Sequence, residues 1–437
     1  MRVAVVGAGI SGLAAAYALR NDHQVTLYEA ERRLGGHTHT VDVTLDGITH
    51  PVDTGFLVYN ERTYPQLIQL FADLAIPTAK SDMSFGLSVR LPNGRALEWA
   101  GTSLDTVFAQ RRNLISPRFI GMLRDLVRFN RHATRLALAE ASDDDVSLGR
   151  FLDQHRYGEP FRRWYLLPMA AAIWSCPIET MLDYPIATFA RFCHNHGLLQ
   201  VSCRPQWYTV AGGARQYVHK IADALNDVRA EDAVQAVERD ASTRKIVVRS
   251  SGGTERYDQV VLACHSDQSL AILHDADAGE RGVIGEVRYQ PNRAILHTDV
   301  QLMPRQRKVW SSWNYLSDGG SEGRAAGVSV TYLLNRLQPL PFATPLLLSL
   351  NPRIEPRADT VITTIDYSHP IFDRHAIAAQ RRLADVQGRR QVWFAGAWTG
   401  YGFHEDGLKS GLAVAEAIMR CAPNSTHPQN SRTASVY

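Results

Sequence analysis

The chain opens on a short uninterrupted apolar run, RVAVV at residues 2–6, which reads as a strand buried on both faces. A glycine-rich GAGISG and the helix-like LAAAYALR follow, and QVTLYE then supplies a second strand that ends on Glu29. From about residue 62 to 205 the pattern changes to long helical stretches with few glycines, among them RFIGMLRDLVRFNRHATRLALAEA. On that helix Arg124, Arg128, Arg131 and Arg135 recur at spacings of four, three and four, on a face opposite Leu123, Leu126, Val127 and Phe129. Strand patterns return in VRAEDAVQAVERD and YDQVVLACHSD. Between about 288 and 365 they continue as PNRAILHTDVQLMP, KVWSSWNYL, GVSVTYLLNRL and TVITTIDYS. QVWFAGAWTGYGFHEDGLKSGLAVAEAIMR then predicts a strand ending at Gly396, a loop, and a helix opening near Gly407. Residues 422–437 are polar, lack periodicity and are expected to be disordered.

GAGISG lies between a strand and a helix, which gives the G-x-G-x-x-G spacing a reason at each position. Gly7 permits the tight turn, Gly9 lets backbone approach a pyrophosphate, and Gly12 lets helix and strand pack closely. Ile10 and Ser11 open the helix, whose free N–H groups and positive dipole end face the phosphates. Glu29 stands 17 positions after Gly12, where its carboxylate can accept hydrogen bonds from the adenosine ribose hydroxyls and repel a 2′-phosphate. Strand, turn, helix, strand and acid in this order predict a dinucleotide site.

The continuation from Glu29 to His37, EAERRLGGH, resembles the E-x-x-x-R-x-G-G-R extension of the flavin-containing amine oxidase and phytoene desaturase superfamily. That resemblance implies non-covalent FAD, with Gly35 and Gly36 close to its pyrophosphate and Arg33 supporting it. His37 stands where the family usually has arginine, which implies a weaker, pH-sensitive contact. Further FAD contacts are implied at Gly55 and Phe56 in HPVDTGFLVYN, at Val234, whose backbone would meet the adenine, and at Gly396, Asp406, Gly407 and Leu408. The N–H groups of Gly407 and Leu408 would face the flavin N1–C2=O edge. The implied fold is α/β. Residues 1–61, 206–280 and 376–421 form a Rossmann-type FAD-binding domain, and a helical cap (62–205) with an antiparallel sheet (281–375) forms a second, α+β substrate domain.

Two positions depart from the family pattern. Ala397 replaces the acidic residue that commonly binds a ribityl hydroxyl. Amine oxidases often place a lysine beside flavin N5, on the strand matched to Gln290–Ile295, but this stretch has Asn292 and Arg293 and no lysine, in a chain with five. His404-Glu405-Asp406 reads as a polar loop with one flavin contact rather than a metal site, because adjacent loop residues seldom converge on one metal. By position, His404 is the acid–base candidate and Tyr401 the substrate-facing aromatic.

With 45% hydrophobic and 21% charged residues, the 437-residue chain has an ordinary globular composition. No segment supplies the roughly 18 uninterrupted apolar residues that a spanning helix needs. A net charge of +3 argues against a nucleic-acid partner. Cys176, Cys193, Cys203, Cys264 and Cys421 are scattered without disulfide or zinc spacing and suggest reduced, mostly buried thiols in a cytoplasmic protein. Glycines at 7, 9 and 12 argue against a secretory signal. The arginine face allows a peripheral contact with the inner membrane surface, against the plainer expectation of a solvated face.

Trp310, Trp313, Tyr315, Tyr332 and Met303 make the second sheet bulky and apolar. This favours a small hydrophobic or lipid substrate, oxidised by hydride transfer to flavin N5. Through HPIFD and GFHEDG the chain is similar, from residue 1 to about 420, to a bacterial group of FAD-binding proteins linked to fatty acyl chain modification. That implies a lipid dehydrogenase or desaturase. An amine or amino-acid oxidase with a different base, and a non-catalytic flavin-binding partner subunit, are the alternatives.

Overall fold

The computed structural model describes residues 1–139, 146–174, 177–200, 204–317 and 329–421. Cys176, Cys203 and the tail at 422–437 lie outside the described residues. The opening apolar strand, Arg2–Val6, is central in a five-stranded parallel sheet. Its order is Asp227–Arg229, Gln24–Tyr28, Arg2–Val6, Gln259–Leu262 and Val392–Phe394. Val3 and Val5 join the core beneath the helix Ile10–Leu19, while Ala4 and Val6 pack with Val237, Ile246 and Val248 of an antiparallel three-stranded meander. Both faces are covered, so the strand has no polar side to show.

The helix Ile10–Leu19 packs against the last helix, His404–Cys421. A Cβ at Gly411 would lie 2.1 Å from the Ser11 carbonyl oxygen, and one at Gly407 would lie 2.8 Å from Ile10 Cγ2. Gly407 and Gly411, one helical turn apart, thus let the two backbones approach closely.

The second domain is built on a seven-stranded sheet in the order Val361–Ile371, Arg288–His297, Leu347–Leu350, Val330–Leu333, Trp313–Ser317, Phe85–Arg90 and Ala96–Ala100. It departs from the expected antiparallel sheet in two ways. Trp313–Ser317 pairs in parallel with Phe85–Arg90, and the last two strands come from the stretch expected to be a helical cap. Their alternation is short and is broken by Glu98, a buried carboxylate that accepts the backbone N–H groups of Arg305 (2.9 Å) and Gln306 (3.0 Å).

The rest of the expected cap is largely helical. Its longest helix, Pro117–Leu138, starts with Pro117 after the capping Ser116 and buries Phe119, Met122, Phe129 and Ala133. Two expectations for this helix fail. Val127 is 44% exposed and shares the outer stripe with Arg124 and Arg131, because the helix is held from the Met122–Phe129 side. Arg128 turns inward, pairing with the buried Asp125 at 3.1 Å and lying 4.2 Å over the Tyr157 ring.

Asp53, at the end of the hairpin Thr40–Leu45/Ile48–Asp53, ties the two domains together. Its carboxylate accepts the Ala214 N–H at 2.9 Å and the Thr40 hydroxyl. Its own backbone exchanges two 2.9 Å hydrogen bonds with the Gln338 carboxamide.

The helix contact makes a two-sided prediction. Gly411→Ala forces the helices apart and lowers stability by about 2–3 kcal/mol. Gly282→Ala, on the helix Ala278–Ile284 with nothing within 4 Å of its Cβ position, is neutral or stabilises by up to about 1 kcal/mol. Urea melts of both variants check the pair.

Candidate functional site

A cavity of about 1420 Å³ runs from the tips of the parallel strands to the seven-stranded sheet. At its polar end the backbone follows the expected turn. Gly7 has φ +101°, Gly12 would bring a Cβ within 1.8 Å of the Gly7 oxygen, and Gly9 has nothing within 4 Å on its cavity side. Gly7, Gly9, Ile10 and Ser11 line the space, while Gly12 does not line it and serves helix–turn packing. Glu29 accepts the Ala8 N–H at 2.8 Å and the Glu31 N–H at 3.0 Å, which fixes its carboxylate at the cavity wall beside Asp232 and Val234. Gly35 donates to the Ala8 oxygen at 2.9 Å. Gly36 adopts φ +55°, and Arg33 donates to the Thr38 carbonyl at 3.0 Å, so the glycine doublet is held against the first turn.

In the middle of the cavity, Gly55 fits only as glycine: a Cβ there would lie 2.0 Å from the His37 carbonyl oxygen, which accepts the Phe56 N–H at 2.8 Å. His37 stacks on Tyr367 at 5.2 Å, and the rings of His369 and His265 lie at 5.2 and 6.1 Å. His265 in turn stacks on Tyr289 at 4.4 Å. His37 Nε2 is buried without a hydrogen-bond partner. Burial, reinforced by the neighbouring imidazoles, keeps His37 well below the ordinary histidine range, and His369 is pushed down to about 4.

The C-terminal loop corrects several expectations. The helix starts at His404, not Gly407, so its first-turn N–H groups belong to His404–Asp406. Gly407 donates to the Phe403 oxygen at 3.1 Å. Gly407 and Leu408 face the helix Ile10–Leu19 and the core, and neither lines the cavity. Asp406 does not line it either, because its carboxylate accepts the N–H groups of Tyr401 (3.1 Å) and Phe403 (3.0 Å) and shapes the loop. Glu405 accepts the N–H groups of Gln66 and Leu67 at 3.0 Å, at the start of the helix Pro65–Asp73. The His404-Glu405-Asp406 triplet therefore diverges to three partners.

Gly396, Ala397, Tyr401 and His404 do line the cavity. His404 stacks on Phe56 at 3.9 Å and its Nε2 is hydrogen-bonded to the Tyr217 hydroxyl at 2.7 Å. Burial pushes its imidazole down to about 3. A base that weak, already engaged by Tyr217, holds position rather than accepting a proton near neutral pH.

The far half of the cavity is apolar. Met83, Ile173, Trp174, Leu198, Trp207 and Trp313 face it, with Tyr332, Leu348 and Leu350 of the large sheet behind. The charged lining groups, Glu29, Glu31, Arg33, Asp232, Asp267 and Asp366, come from other segments. The apolar half does hold two buried indole N–H groups without partners, Trp174 Nε1 and Trp313 Nε1.

Sequence reasoning did not select His265, Tyr289, Tyr367, His369, Tyr217 or Asp53. His369 lay in the HPIFD segment used for the resemblance, and Asp53 directly precedes the Thr54-Gly55 turn. The others converge only in three dimensions.

The family model for flavin containing amine oxidoreductase matches residues 10–325. AofH of Mycobacterium tuberculosis (strain CDC 1551 / Oshkosh), named for a flavin-containing monoamine oxidase, is 30% identical over 286 residues, which are 62% of this chain and 59% of AofH. The carotenoid phi-ring synthase of Streptomyces griseus is 33% identical over 173 residues, 36% of this chain and 32% of that protein. Among solved structures, putrescine oxidase bound to putrescine superposes with TM-score 0.70 at 17% identity over 96% of this chain and 99% of that one. A fatty acid isomerase from P. acnes superposes with TM-score 0.66 at 15% identity over 96% and 98%.

The cavity suits the cofactor of this family. A bare Gly9 backbone fits a pyrophosphate, an anchored Glu29 fits a ribose, and the orphaned His37 Nε2 lies between that end and the Phe56–His404 pair. With more than half of its length matched, this chain belongs to the flavin-containing amine oxidoreductase family.

Proposed function

We propose that the enzyme oxidises or desaturates an uncharged, hydrophobic acyl substrate, an unsaturated fatty acyl chain or a related lipid. The observation that carries this reading is the composition of the apolar half of the cavity: aromatic and aliphatic walls, with the charged lining groups on other segments. A protonated amine held there would need a counter-charge, since burying an unpaired ammonium is costly. An uncharged hydrocarbon chain would instead fill this half without leaving a buried charge. The names of two similar proteins, a carotenoid ring synthase and a fatty acid isomerase, agree with a lipid reading, whereas AofH and putrescine oxidase represent the amine branch.

FAD, when bound, supplies the hydride acceptor. The chain's own residues bind and orient. Gly9, Glu29 and the glycine doublet would hold the nucleotide, and the His37–His265–His369 group would meet the linker between nucleotide and ring. Phe56 and His404 would flank the ring, and the tryptophan-rich wall would exclude water from the reacting carbon. His196 contributes no charge to that wall, because burial pushes it down to about 4 while its Nδ1 lies 3.0 Å from the Phe192 oxygen.

Anaerobic mixing with an unsaturated fatty acyl phospholipid bleaches the flavin absorbance on this reading, and primary amines leave it unchanged. Bleaching by amines alone defeats the reading. Trp174→Phe removes part of the aromatic wall, and it raises KM for the acyl substrate by roughly 5–20-fold while kcat changes little.

A pH effect follows from the histidines. His369 has a folded pKa of about 4 against 6.5 in the unfolded chain. The stability it represents is therefore fully present above 6.5 and lost as pH falls towards 4, on the order of 3 kcal/mol. Thermal melts of FAD-free protein fall across that interval, and His369→Asn flattens the fall.

A further inference from the structure

The outer stripe of the helix Pro117–Leu138 and the turn before it do not resemble an ordinary solvated surface. Along the stripe Ile120 (44% exposed), Val127 (44%) and Leu138 (67%) alternate with exposed Arg124, Arg131 and Arg135. In the preceding turn Leu104 (78%), Leu114 (51%) and Ile115 (86%) stand out, flanked by exposed Arg111, Arg112 and Arg118. Among the described residues, six of the ten large exposed hydrophobic side chains thus fall between positions 104 and 138.

The turn is firmly built. Ser103 caps the short helix Leu104–Val107, Arg111 pairs with Asp105, Gln110 Nε2 donates to the Ala96 oxygen at 3.0 Å, and Phe108 and Phe119 lie 5.9 Å apart. Its aliphatic side chains are therefore presented on a fixed frame.

Among the described residues, the nearby carboxylates are already engaged. Asp105 is taken by Arg111 and Lys308, and Asp125 is buried against Arg128. Among the described residues no carboxylate pairs with Arg112, Arg118, Arg124, Arg131 or Arg135.

We infer that this face is a docking surface for an anionic phospholipid bilayer, with Leu104, Leu114 and Ile115 inserted between headgroups and the arginine stripe lying on their phosphates. Each half of the observation fits that partner. Arginines gain from anionic headgroups, and protruding aliphatics gain from the acyl boundary beneath them. A symmetric contact with a second copy would set this arginine stripe against itself. Nucleic acid would use the arginines but offer nothing to Leu114 and Ile115. Among the described residues no helix is long and apolar enough to cross a membrane, so the contact would be peripheral. These residues do not line the cavity, and the inference stands apart from the choice of substrate.

The test is co-sedimentation of the flavin-loaded full chain with phosphatidylcholine vesicles, with and without phosphatidylglycerol. Binding is expected only with phosphatidylglycerol and weakens as salt rises. Arg124→Gln and Arg131→Gln each reduce partitioning by about five-fold. Leu114→Glu with Ile115→Glu abolishes it, while the flavin spectrum and the sedimentation profile of the free protein stay unchanged. Equal binding to neutral vesicles overturns the proposal, as does binding that these variants do not alter. Binding to duplex DNA without vesicle binding, or a concentration-dependent dimer that the variants dissolve, overturns it as well. Failure here with normal flavin bleaching by acyl lipid leaves the substrate reading intact, and the reverse result separates the two in the same way.

Discussion

Two helices from opposite ends of the chain meet backbone to backbone, and the cofactor cavity depends on that contact. Ile10–Leu19 starts in the turn that presents Gly9, and His404–Cys421 starts in the loop that presents Tyr401 and His404. Any side chain at Gly411 would collide with Ser11, so the separation of the helices, and with it the separation of the two loops, is set by steric exclusion rather than by a polar bond. Asp406 reinforces the geometry by fastening the loop to the first turn of its own helix.

The cavity beyond that joint is divided by chemistry. Its nucleotide end is shaped by backbone amides and by carboxylates held in place by N–H donors. Its middle gathers imidazoles and phenols whose burial keeps them uncharged. Its far end is hydrocarbon with two indole donors left over. Such a gradient suits a ligand that is ionic at one end and a substrate that is not. The Asp53–Gln338 exchange joins the substrate-domain side of the cavity to the turn that carries Gly55 and Phe56.

The nucleotide half was readable in the chain because local rules govern it. A strand buried on both faces, glycines each required by one contact, and an acid at the tip of the next strand all lie within about forty residues. The far half was less legible. Phe85–Arg90 and Ala96–Ala100 are short, and a buried Glu98 disguises their alternation, so they passed for part of a helical cap. The family resemblance implies Gly407 at the flavin, whereas in the structure its Cβ position faces Ile10, hundreds of residues away in sequence. The histidine group draws on a turn, a strand exit and the sheet edge at His369, and no periodicity links those positions. Val127 was assigned to the wrong face because spacing alone does not say from which side a helix is held.

One topological detail bears on how this protein could be rebuilt. The parallel pairing of Trp313–Ser317 with Phe85–Arg90 stitches together two segments more than two hundred residues apart. The polypeptide between the first and second visits to the nucleotide fold is therefore not a detachable module. Grafting that insert from a relative, without its matching later strands, would leave an open row of amides and carbonyls at the sheet's new border. Recombination of substrate preference within this architecture has to exchange both segments together.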